Sequence, residues 1–126
     1  MSGRLAAQAS VETALAALLF GIVLGLGIAA GFWALAQNVT TAAAQEAARV
    51  ASAQGGDLEH GVSVGTALLQ AGLGPSSRLV ELTASEDAAG VTVIASGGWP
   101  LWLGPGTSIS LPLHAEVHML RDRWTP

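Results

Sequence analysis

The sequence predicts an α+β chain: a long N-terminal helix, a short second helix and a small antiparallel sheet of about three strands. Three observations carry this expectation. No charged side chain occurs from Thr13 to Ala36. An alanine-rich run without Pro or Gly continues from Gln37 to Gln54. Near the other end, Thr107 to Leu120 alternates apolar and polar residues with period two.

The uncharged segment organises the chain. At about 1.5 Å rise per residue it reaches roughly 36 Å as a helix, enough to cross a hydrocarbon core of about 30 Å with some tilt. Residues 1–7 form a short leader with one basic side chain, Arg4. A removable signal peptide has an apolar core of only about 7–15 residues followed by a small-residue cut. Here the apolar run is longer and passes into helix-forming sequence, which fits a signal anchor better. Arg4 precedes the span and the next basic residue is Arg49, so the positive-inside rule puts the N-terminus in the cytoplasm and the remainder outside. Residues 8–36 are then the membrane helix, 37–57 its amphipathic stem, and 58–126 a small extracytoplasmic domain.

Composition sets the limits. The chain has 126 residues, 51% hydrophobic and 11% charged, with a net charge of −4, against about 25% charged in ordinary soluble domains. Its five basic residues are all Arg. With no basic patch, nucleic acid is not an expected partner. There is no Cys, so neither a disulfide, a thiolate metal site nor a Cys nucleophile is available. Abundant Ala, Gly and Arg without Lys point to a G+C-rich bacterial genome.

Within the span, Gly21/Gly25 and Gly27/Gly31 are small-xxx-small pairs, a spacing that lets a second helix approach closely. Glycine is also simply common in membrane helices. Trp33 stands where an interfacial anchor would. In the stem, Glu46 and Arg49 are spaced to pair on the wet face, and Gly55-Gly56-Asp57 stops the helix. Leu58 to Ala71 reads as the second helix, with Val64, Ala67, Leu68 and Ala71 on one side and Gly72, Gly74 and Pro75 ending it. Arg78–Ala84 and Gly90–Ser96 read as a hairpin around Ser85–Ala89. Gly97–Gly106 reads as a Gly/Pro-rich loop. Its Trp99, Leu101, Trp102 and Leu103 form either an exposed interface patch, touching a partner or the outer leaflet, or the closing piece of a small core. Thr107–Leu120 is the longest strand, placed at an edge or bulged by Pro112, and Arg121-Asp122-Arg123 a solvated end.

Little here suggests catalysis. His114, Glu116 and His118 share one face of a strand, and two His with a carboxylate are ligands suited to zinc. Alternate residues on a straight strand stand about 6.5 Å apart, too far to converge on one ion without a bulge. Ser/His/Asp catalysis is not supported, since the domain is too small for a buried pocket of the usual size, and the Gly-rich stretches precede no P-loop or dinucleotide pattern. The expectation is a protein that is not an enzyme and needs no cofactor.

Glu12 is the residue that asks for an explanation. A carboxylate in a membrane span costs about 2.5 kcal/mol or more at the centre and less near the interface. It either lies at the headgroups, in the helix's first turn where the dipole favours an acid, or has a partner. The segment QASVE followed by the apolar run resembles the N-terminus of type IV pilin-like proteins, in particular the TadE-like minor pilins, or pseudopilins, of tight-adherence systems. TTAAAQEAARVASA, from Thr40 to Ala53, is similar to that family's helix end. VTVIASGGWPLWLGPGTSISLPLHAEVHMLR resembles its terminal strands and Pro/aromatic loop. The resemblance implies cleavage by a prepilin peptidase between Ala7 and Gln8, making Glu12 the fifth mature residue. Glu12 would then pair with the Gln8 amine of a neighbouring subunit. Ala7 departs from the family's usual Gly before the cut, and Thr13 from its usual apolar residue after the Glu. The resemblance further implies a structural role in a pilus or its assembly complex, packed through Leu15, Leu19, Ile22, Leu26 and the four span glycines. The implied partners are other pilins, the assembly platform, the prepilin peptidase and membrane lipid. The alternative is an uncleaved signal-anchored protein whose outer domain binds a ligand.

Overall fold

In the computed structural model, which describes residues 2–53 and 55–121, α1 runs unbroken from Ser2 to Ser52. At about 1.5 Å per residue it is roughly 75 Å long. The chain divides into two compact units, one through Phe32 and one from Trp33 onward. In the first, every described side chain from Gly3 to Ile28 is exposed. This is the helix long and apolar enough to cross a membrane. Leu, Ile, Val and Phe are found exposed at this density where lipid or other helices, not water, are the surroundings.

The second unit contains the end of α1, then α2 (Leu58–Leu73), a 3₁₀ turn over Gly74–Leu79, and strands β1 (Val80–Glu86), β2 (Gly90–Gly104) and β3 (Thr107–Leu120). The strands form one antiparallel sheet in the order β1-β2-β3. The core is small-grained. Ala36, Ala43, Ala44, Ala47, Ala48 and Ala51 of α1 are buried together with Leu69, Val91, Val93, Ala95 and Leu113. The buried alanines recur at helical spacing, so one stripe of α1 faces inward while Gln45 and Arg49 face water.

Alanine on α1 is matched by glycine on α2. A Cβ at Gly61 would stand 2.6 Å from the carbonyl oxygen of Ala47, and one at Gly65 would stand 2.9 Å from the Ala47 Cβ. The two helices therefore meet backbone to backbone, closer than larger side chains permit. Asp57 caps α2, accepting a hydrogen bond from the Glu59 N–H at 3.2 Å. At its far end Gly74 takes a positive φ of 60° and its N–H bonds the Gln70 carbonyl. The buried face of α2 is thus Gly61, Gly65 and Leu69. The face expected from the sequence is displaced: Ala67, Leu68 and Ala71 are exposed and Val64 is half-buried.

Three strand boundaries differ from expectation. β1 starts at Val80, because Pro75 and the residues after it close a 3₁₀ turn first. The β1–β2 turn is tighter and centres on Asp87–Ala89. Gly97–Gly106 is not a loop: β2 continues to Gly104 and pairs with β3 nearly to the hairpin end. β1 reaches only to Gly97 on β2. Beyond that point β2 and β3 form a two-stranded ribbon, and Pro100, which has no N–H to give, lies where β2 has become an edge. β3 is the other edge strand, as Pro112 led us to expect. Arg121 is not free in solvent. It forms an ion pair with Glu86, and its Nη2 lies 3.3 Å from the Gly56 carbonyl oxygen. Asp122 and Arg123 lie outside the described residues.

Candidate functional site

The N-terminal candidate surface is simple. Ala7, Gln8 and Glu12 occupy consecutive turns of α1, all exposed. The helix passes through Ala7 and Gln8 without interruption. Thr13 satisfies its hydroxyl locally, donating to the Ala9 carbonyl at 2.9 Å, so it adds no unpaired polar group to the apolar face. A Cβ at Gly21, Gly25, Gly27 or Gly31 would meet nothing within 4 Å. The glycine positions are therefore open notches on a bare helix, available to a helix from outside the chain. Leu15, Leu19, Ile22 and Leu26 are all at least half exposed beside them.

The second surface is the ribbon. Trp99 and Leu101 are half-buried, while Trp102 is 74% exposed and Leu103 53%. Trp99, at the root of the stretch, packs on the core, while Trp102 and Leu103 in its far half stand open. Trp99 faces Leu111 and Leu101 faces Ile109 across the ribbon, so the apolar side is continuous over both strands.

A feature the sequence reading missed joins helix and sheet. The Gln37 side-chain amide bonds the β3 backbone in both directions: its Nε2 donates to the His114 carbonyl at 2.6 Å and its Oε1 accepts from the His114 N–H at 3.2 Å. One helical turn earlier, Trp33 Nε1–H donates to the Pro112 carbonyl at 3.1 Å. Two side chains of α1 thus stand in for a missing neighbour strand and blunt part of the sheet edge. The available signal was the four-residue spacing of Trp33 and Gln37 on the helix against the two-residue spacing of Pro112 and His114 on the strand, both close to 6 Å.

His114, Glu116 and His118 are exposed at alternate positions of β3. His118 Nδ1 lies 2.8 Å from the Thr92 hydroxyl across the sheet. Among the described residues, no group of three or more His, Asp or Glu side chains comes together as metal ligands would. An open groove of about 550 Å³ lies along the stem, lined by Ala42, Leu68, Val117 and Met119 with Glu46 and Arg49 at its rim. The Arg49 guanidinium bonds Glu46 at 2.9 and 2.5 Å. That hydrogen bonding holds Glu46 below the ordinary carboxylate range and raises Arg49. At the β1–β2 turn, Gly90 N–H and Ala89 N–H donate to Asp87 Oδ1 at 2.8 and 2.9 Å, lowering the Asp87 pKa.

Comparison with known proteins agrees with the resemblance read from QASVE and the stem. Neither the curated proteins nor the solved structures give a match to this chain. A family model does, described as TadE-like protein, over residues 7–49. The matched stretch covers the exposed apolar helix and the alanine-rich stem as far as Arg49. Over that helix, the chain is similar to the TadE-like proteins.

Proposed function

We propose that this is a structural, pilus-associated membrane protein of the pseudopilin type, inserted by α1 with its N-terminus in the cytoplasm. After cleavage between Ala7 and Gln8 it packs through the first half of α1 into a pilus or its assembly complex. The observation that carries the reading is one coincidence. The residues matched by the TadE-like model, 7–49, contain the uncharged helix whose side chains are exposed through Ile28. A helix so apolar and so bare needs lipid before assembly and other helices after it. The match begins one residue before the expected new N-terminus. Cleavage there creates an amine four residues from Glu12. Amine and carboxylate are each costly in an apolar setting, and pairing between neighbouring subunits offsets that cost.

The role asks for no catalysis and no cofactor. The partners it implies are other pilins, an assembly platform and a prepilin peptidase. Two measurements test it. Intact mass and N-terminal sequence of the protein from its native membrane should show a start at Gln8. A start at Met1 or Ser2 would instead make it a signal-anchored protein with a small outer binding domain. Secondly, Glu12→Leu should insert in the membrane normally yet fail to enter fibres or pilin complexes. Normal incorporation of that variant would remove the pairing role.

A further inference from the structure

We propose that the outer face of the three-stranded sheet, with Trp102 at one end, is a binding surface for an extended, uncharged polysaccharide. The surface lies wholly within the second unit, and its chemistry does not depend on cleavage or assembly.

Register decides which side chains share this face. Val91, Val93 and Ala95 of β2 and Leu113 and Ala115 of β3 are buried in one cluster with the α1 alanines. Alternation turns their neighbours the other way. The pairs Ser96–His114, Pro100–Ser110 and Trp102–Ser108 continue that outer face, and the register shifts only after Trp102. β1 adds Glu81 beside Ser96. Ser96, Pro100, Ser108, Ser110, His114 and Glu116 are all exposed, and Trp102 is 74% exposed. The middle of the face is low. A Cβ at Gly98 would collide with the Ser110 Oγ, so the serine hydroxyl lies flat over β2 where a side chain would otherwise stand. Between the Trp102–Ser108 and Ser96–His114 pairs the face carries only two prolines, this glycine and this serine. On an extended strand, residues 102 and 96 are roughly 20 Å apart, the reach of a short oligosaccharide.

Chemistry selects the ligand class. The chain has no Lys, and none of its Arg lies in the three strands. The face therefore offers no fixed cation to a phosphate, sulfate or carboxylate polymer. From Trp102 to Ser96 the indole is its only large apolar side chain, too little for a hydrocarbon partner. Protein interface cores gather several aromatics with Met and Arg and are poor in Ser. Here one Trp stands among serines. A pyranose matches that mixture. Its C–H-bearing side packs on the indole, whose ring face is electron-rich. Its hydroxyls exchange hydrogen bonds with Ser110, Ser96, His114 and Glu116, a set that both donates and accepts. An open row of this type, not a pocket, suits a chain that stays extended, as β-1,4-linked pyranoses do.

The test uses the full chain in phosphatidylcholine nanodiscs, which keep glycoside detergents out of the measurement. Cellohexaose and chitohexaose, both extended, are titrated calorimetrically, with the coiled maltohexaose as the comparison. At least one extended hexamer should bind with a millimolar or tighter Kd. Trp102→Ala should weaken that binding by about tenfold or more, and Ser110→Ala should weaken it several-fold. Folding does not depend on so exposed a Trp, and an unchanged thermal transition of the variant verifies this. Ile109→Ala, on the opposite ribbon face through its pairing with Leu101, should leave binding as it is. Absence of binding by both extended hexamers would overturn the proposal. So would binding that Trp102→Ala leaves intact, or maltohexaose binding as tightly as the extended chains. If neither extended hexamer binds and Trp102→Ala instead blocks entry into pilin complexes, the face belongs to a protein partner and the proposal falls.

Discussion

Gln37 shows how much one side chain can decide. Its amide offers one donor and one acceptor, and the β3 edge at His114 presents the complementary pair. Gln37→Leu deletes both bonds and leaves the strand edge to water, a loss of about 1–2 kcal/mol, read as a lower midpoint in chemical denaturation of the outer domain. Gln37→Glu should be worse at neutral pH. It keeps the acceptor for the His114 N–H but sets a carboxylate oxygen against the His114 carbonyl. Only the protonated acid can donate there, so the folded pKa of this Glu lies above its unfolded value. Stability is then regained as pH falls and lost as pH rises through the folded pKa, which a thermal series across pH would show. Asp87 has the opposite sign. Gly90 and Ala89 N–H bonds depress its pKa in the fold, so it contributes stability above its unfolded pKa and loses it as pH falls through the folded one. Asp87→Ala should loosen the β1–β2 turn at neutral pH and shrink the acid sensitivity of hydrogen exchange at Ala89 and Gly90.

At the scale of elements, the helix–helix contact carries the firmest prediction. Gly61→Val would drive a branched side chain into the Ala47 carbonyl. Overpacking of this type costs about 1–3 kcal/mol, and collision with backbone, which cannot swing aside, puts the cost at the upper end. Denaturation of the outer domain measures it, and a neutral outcome would mean the helices can separate freely. This contact also explains what the sequence did not disclose. α1 was legible because charge is absent over so long a stretch and because Gly55 and Gly56 mark its end. The face of α2 was not, because glycine carries no apolar signal: Gly61 and Gly65 are buried for what they lack. The ribbon reads as a loop in the sequence for a related reason. Gly98 and Pro100 are breakers in a central strand, yet they are compatible with β2 beyond Gly97, where β1 has stopped and no neighbour requires the N–H that Pro100 lacks. The third strand, with its strict alternation, was legible through Leu120. Of the candidate sites, the open glycine notches and the apolar ribbon were visible as composition. The Trp33–Gln37 clasp was not, since it needs two elements placed side by side before its spacing means anything.

Over the whole molecule, the division at Phe32 separates two kinds of solvent requirement. Residues 33–126 hold their own core, from Ala36 to Ala115, and should fold without the span. A fragment of these residues is expected to be soluble, with dispersed amide resonances and a cooperative thermal transition. A fragment lacking those features would show that the span helps build the domain. The full chain, in contrast, should need detergent or lipid, because its first unit exposes a helix that water does not accommodate. One unit exposes an apolar helix and the other holds its own core.

Trp33 bonds Pro112, Gln37 bonds His114 and Ser52 lies against Met119, so α1 from Trp33 onward and β3 run side by side in the same sense, and that course has a mechanical meaning. Suppose the second unit is held at Trp33 and loaded through the end of β3. The two elements would then be drawn past each other along their length, and Trp33–Pro112, Gln37–His114 and the alanine–strand packing would resist together in shear. An arrangement in which the strand peeled away from its end would break the same contacts one at a time. Resistance to a pull is governed by the unfolding barrier, not by equilibrium stability. In a force-spectroscopy experiment with those two attachment points, Gln37→Leu should therefore lower the rupture force of the domain.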